Sequence, residues 1–120
     1  MAIEDLWKET RNPFDLRDFQ KAVVEWAAYN FGNQDKEEPF LGLVEEMGEL
    51  SHAFLKLRQG IRGDVNDHLD EIRDAIGDWV IFCAAFCDKM GLDLEDCISK
   101  TWGEVRGRDW KKYPENGITK

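Results

Sequence analysis

Apolar residues recur along this chain at three- and four-residue spacings, and no stretch alternates apolar and polar positions for long enough to make a strand. The pattern predicts four helices. The first follows Asn12-Pro13, a suitable N-cap and first-turn pair, and sets Leu16, Phe19, Val23 and Ala27 on one face before Gly32 ends it. The polar segment at residues 33–38 links it to a second helix from about Pro39 to Gly60, with Leu43, Met47, Leu50, Phe54 and Leu57 as its packing stripe. The third covers roughly Asn66 to Met90. Its second half is apolar all round, which calls for neighbours on several sides, some of them from a partner subunit. The fourth opens at Asp93, with Asp96 completing an imperfect capping box, and is expected to bury Leu94, Ile98, Trp102 and Val105. After Gly107 the tail reads as irregular.

The expected class is therefore all-α, a four-helix bundle-like subunit that assembles as a homodimer or homotetramer. A length of 120 residues allows one domain, with a core at about 13–107 and a basic C-terminal tail at 108–120. Charge changes the picture more than size does. The net charge is −9, yet residues 100–120 carry six Lys and Arg against three Asp and Glu, so the acid is concentrated in the body. Such a body does not suit a nucleic-acid backbone, whose affinity comes largely from Lys and Arg neutralising phosphates. The N-terminal sequence has no basic region followed by an apolar core, and the longest apolar run, residues 79–87, is too short for a bilayer. No membrane partner and a cytoplasmic location are expected. Cys83, Cys87 and Cys97 are odd in number and lack a CxxC spacing, and are read as plain buried thiols.

The unusual feature is where the acids lie. Glu45, Glu46 and Glu49 crowd one turn of the second helix, although like charges at helical spacing repel. At about 100° per residue, Glu46 falls at the edge of the apolar stripe, Glu49 further round near Lys56, and Glu45 and His52 further still. On the third helix Asp67, Glu71, Asp74 and Asp78 share one stripe that continues as Ile81, Phe82 and Ala85. A stripe apolar in one half and acidic in the other faces inward, where unpaired carboxylates cost several kcal/mol or shift their pKa values. A cation is required among them. Few basic residues lie nearby, so a divalent metal is the better candidate, and Mg²⁺ takes oxygen ligands while bridging carboxylates to substrate phosphates. A di-iron bundle is disfavoured: His52 belongs to one Glu-x-x-His element, but His68 has Val65 three residues before it. Both histidines are read as surface residues.

The segment "EEMGE" at 45–49, followed by "DEIRDAIGDWVIF" at 70–82, resembles the EExxE and ExxD signature of MazG-like enzymes in the all-α nucleoside triphosphate pyrophosphohydrolases. "EWAAYNFGN", "LKLRQGIRG" and "TWGEVRGRDW" are similar to the surrounding sequence of that family, so the resemblance spans about residues 16–117. It implies Mg²⁺-dependent hydrolysis of a nucleoside triphosphate, a deoxynucleotide above all, to monophosphate and pyrophosphate, with Mn²⁺ able to substitute. It also implies Glu46, Glu49 and Asp78 as metal ligands, with Asp74 or Glu71 as a fourth. Glu71 and Asp74 fit ExxD literally, whereas alignment by the downstream segment places the Asp on Asp78. Glu45 would orient a ligand or a water, and Glu49 or Glu46 would take the water's proton. Lys56, then Lys100, Arg106 and Arg108, would grip phosphates, while Trp26, Asn30 and Phe31 match the position of the family's base pocket. Against this stands a different class, a non-catalytic helical bundle stabilised by metal and acting as an interaction module.

Overall fold

The computed structural model describes residues 15–120, and among these every regular element is a helix: α1 Leu16–Phe31, α2 Glu37–Gln59, α3 Val65–Lys89 and α4 Leu94–Val105. None of them is long and apolar enough to cross a membrane. Local chemistry explains most of the boundaries. Asp15 caps α1, its carboxylate accepting the Arg17 and Asp18 amides at 2.8 and 3.1 Å. The helix therefore opens at Leu16, three residues beyond the expected Asn12-Pro13 pair, which itself lies outside the described residues. Helix α2 begins two residues before Pro39, leaving the proline in the first turn, where its missing N–H is not needed. It ends on Gly60, whose left-handed backbone suits a residue without a Cβ. Asp64 and Asp67 form a reciprocal capping box for α3. At α4 only half of such a box forms, Asp93 accepting the Asp96 amide at 2.9 Å.

Helix α3 is the hub. Helix α2 lies along it, α1 crosses its C-terminal half on another side, and α4 touches both α1 and α3, whereas α1 and α2 do not pack on each other. Phe19 and Val23 of α1, Ala84 of α3 and Leu94 of α4 form the buried core, flanked by Leu16, Val80, Ile81 and Cys83. Gln20 sits inside this core. Its amide donates to the carbonyls of Ala84 and Leu92, and its oxygen accepts the Leu94 amide at 2.9 Å, tying α1 to the end of α3 and the start of α4. The Leu92 and Leu94 contacts satisfy backbone groups at a helix junction that burial would otherwise leave unpaired.

The buried line of α2 differs from the expected one. Pro39, Gly42 and Ala53 are buried, with Glu46, Leu50 and Leu57 half-buried between and beyond them, while Met47 and Phe54 are exposed. The reason is steric: Gly42 lies so close to the Phe82 ring that a Cβ there would overlap it. Small residues thus let α2 approach α3 with this face and not with the bulky one. Expectation also failed on α4, where Leu94 alone is buried and Ile98, Trp102 and Val105 remain exposed beyond the short contact with α1 and α3.

His68 corrects the reading of both histidines as surface residues: it is 1% exposed. The connection from Gly60 to Gly63 turns back over it, with Arg62 held at a left-handed φ of 61°. Its Nε2 donates to the Ile61 carbonyl at 2.8 Å, which fixes the turn to α3. His52 is exposed as expected. The three cysteines are unpaired and half-buried, and burial pushes the Cys83 thiol up to about 11. Hydrogen-bonded turns organise the tail, the Asp109 carboxylate accepting the Lys111 and Lys112 amides and the Asp109 amide donating to the Gly117 carbonyl.

Candidate active site

Because α1 and α2 both lean on α3 without touching each other, a cleft of about 410 Å³ opens between them. Trp26 and Phe31 near the end of α1 form one wall, their rings edge to face at 5.6 Å and 84°. Ile81 and Phe82 of α3 make the floor. At the opposite wall stand Glu46 of α2 and Asp78 of α3. One space thus joins an aromatic surface to carboxylates from two helices.

The inward position of Glu46 follows from the rotation of α2 described above. It lies one turn after Gly42, on the line that the glycine brings against α3. Desolvation raises the Glu46 carboxyl above the usual range, and the charges of Asp78, Glu45, Glu49 and Asp74 raise it further. Asp78 is likewise raised, first by burial and then by Asp74. Acids of α2 and α3 therefore feel one another across the interface. Among the described residues none of Glu45, Glu46, Glu49, Asp74 and Asp78 has an ion-pair or hydrogen-bonding partner through its side chain. Among the described residues nothing compensates the repulsion.

Glu71 stands apart. It pairs with Lys56 at 2.6 Å, and the hydrogen bond from that lysine, with its charge, holds the Glu71 carboxyl below the usual range. His68 Nδ1 lies 3.7 Å from its other oxygen. Lys56 is only 15% exposed, so both partners are spent on joining α2 to α3. Asp67 is occupied in the capping box, which leaves Asp74 and Asp78 as the unpaired acids of that stripe. Asn30 is exposed and its amide donates to the Trp26 carbonyl at 2.9 Å, within its own helix. Lys100, Arg106 and Arg108 are exposed and none lines the cleft. Two polar residues that sequence reasoning passed over, Gln34 and Glu38, do line it beside Trp26 and Phe31. Their place in a polar linker and a first helical turn carried no signal of this.

Among the described residues no three His, Cys, Asp or Glu side chains are gathered closely enough to enclose an ion by themselves. Magnesium commonly takes one or two protein carboxylates and completes its shell with waters and phosphate oxygens. An all-oxygen donor pair with raised affinity for positive charge, as at Glu46 and Asp78, fits that demand better than the demands of softer metals. Comparison of the chain with family models, curated proteins and solved structures returned no match.

Proposed function

We propose that this protein is a MazG-like nucleoside triphosphate pyrophosphohydrolase, cleaving a nucleoside or deoxynucleoside triphosphate to the monophosphate and pyrophosphate in a Mg²⁺-dependent reaction, a nucleotide-pool house-cleaning role. The observation that supports it most is the cleft in which the aromatic wall of Trp26 and Phe31 faces the mutually repelling carboxylates Glu46 and Asp78. An aromatic face takes a base, and carboxylates lacking a cation take metal together with a phosphate chain.

In this reading Glu46 and Asp78 would hold the metal, the nearby charges of Glu49 and Asp74, which Glu46 feels, would add to its attraction for a cation, and Glu45 would orient a ligand or a water. Bound magnesium, for which Mn²⁺ can substitute, supplies charge neutralisation of the triphosphate and a lowered pKa for the attacking water. Glu49, exposed and without a side-chain partner among the described residues, would take the water's proton in this reading. Lys56 is bound to Glu71 and contributes by fixing α2 against α3 at the level of the acids. The exposed apolar line of Ile98, Trp102 and Val105 supports assembly into a homo-oligomer.

Incubation with a panel of NTPs and dNTPs plus Mg²⁺, with monophosphate, pyrophosphate and orthophosphate quantified separately, tests this. Pyrophosphate and monophosphate in equal amounts are expected. Orthophosphate as the sole product would refute the bond cleaved, and metal-dependent stabilisation without any turnover would favour the interaction module.

A further inference from the structure

The two polar residues at the aromatic end of the cleft bear on which base it accepts, an inference that rests on the nucleotide reading above. Gln34 is half-buried in the connection between α1 and α2, and Glu38 stands in the first turn of α2, where the helix macrodipole favours a carboxylate. Both line the same space as Trp26 and Phe31. Among the described residues neither side chain has a hydrogen-bond or ion-pair partner. Glu38 and Glu46 are eight residues apart on one helix, which separates them by about 12 Å along its axis. A nucleotide whose first phosphates approach Glu46 and Asp78 therefore brings its base to Trp26, Phe31, Gln34 and Glu38.

The hydrogen-bonding inventory of this end is lopsided. A Gln amide offers one acceptor and one donor group and can turn over, so Gln34 by itself can match either an amino or an oxo edge of a base. An ionised carboxylate only accepts. Beside Glu38, a base carbonyl would set two acceptors against each other in a cleft lined by no basic side chain among the described residues, whereas an exocyclic amino group would donate to it. Glutamine pairing with the amino and ring nitrogen of adenine, and a carboxylate accepting from the amino group of cytosine, are established forms of such recognition. We propose that Glu38, with Gln34, selects nucleotides whose base carries an exocyclic amino group and rejects those presenting a carbonyl at that position.

Two substrate pairs isolate the group concerned: dCTP against dUTP, and dATP against dITP, each assayed for kcat/KM with Mg²⁺. Wild type is expected to favour the amino member of each pair by roughly tenfold or more, the scale of one well-placed pair of base contacts. E38Q places a donor at the site and is expected to bring both ratios close to one, with a fall in melting temperature of no more than a few degrees from the lost macrodipole interaction, since Glu38 is exposed and its side chain has no partner among the described residues. Q34A is expected to lower activity on all four substrates while leaving the amino preference set by Glu38 in place. Turnover of all four at equal kcat/KM by wild type, or a preference that E38Q leaves intact, would overturn the proposal while leaving the enzymatic reading standing. Absence of pyrophosphate from all four would overturn both.

Discussion

Adding a single methyl group at Gly42 tests the way α2 is oriented. The residue is in a helix interior, so Gly42→Ala gains about 1 kcal/mol of helix propensity. Against this, the new Cβ would overlap the Phe82 ring. Overpacking of this kind costs about 1–3 kcal/mol, giving a net loss of about 0–2 kcal/mol. Gly48 supplies the control: it lies on the same helix with nothing near its own missing Cβ, so Gly48→Ala should stabilise by about 0.5–1 kcal/mol. The two variants should therefore differ by about 1–3 kcal/mol, at roughly 4 °C of melting temperature per kcal/mol for a chain of this size. Thermal and urea unfolding at one fixed protein concentration would measure it, since the proposed assembly would make stability concentration-dependent. The displaced ring can move only by disturbing the cleft floor, so Gly42→Ala should also weaken the stabilisation that the proposed Mg²⁺ site would give. A Gly42→Ala protein as stable as Gly48→Ala would refute the close approach of α2 and α3, and with it the inward placement of Glu46.

Other predictions address the core and the acids. Gln20→Leu leaves the Leu92 carbonyl and the Leu94 amide without partners and removes the second hydrogen bond on the Ala84 carbonyl, and should cost about 2–4 kcal/mol by urea denaturation. Because the folded-state pKa values of Glu46 and Asp78 are raised, the folded protein holds those protons more tightly than the unfolded chain. Metal-free stability should accordingly fall as pH rises from the ordinary carboxylate range through the raised native values, and melting curves across that interval would record it. Asp78→Asn should shrink the pH effect, raise metal-free stability at neutral pH by up to about 1 kcal/mol, and abolish the gain on adding Mg²⁺. Glu49→Gln should lower kcat by about 100-fold or more with little change in melting temperature, and full activity would exclude it as the base.

Periodicity located the helix ends to within about two residues except at the start of α1, where Asp15 caps the helix three residues beyond the expected Asn12; elsewhere capping residues such as Asp93 and terminators such as Gly60 act locally. It failed on how the helices face one another. Met47 and Phe54 look like core on a helical wheel, yet Gly42 and Ala53 are buried instead, because the Phe82 ring on another helix decides what fits. His68 was misjudged for a related reason: its burial depends on a turn with positive φ values at Gly60, Arg62 and Gly63 that no side-chain pattern announces. The grouping of Glu46 with Asp78 was legible in the acidic stripes. The capture of Glu71 by Lys56 was not, since it depends on the rotation of α2.

The walls of the cleft share a floor but have no direct tie, so the chain resembles an arch missing its keystone. A molecule reaching from Trp26 to Glu46 would supply the missing strut, and stiffening should spread to the connection at residues 32–36 that spans the gap. Ligand affinity and the rigidity of that short connection are thus one mechanical property.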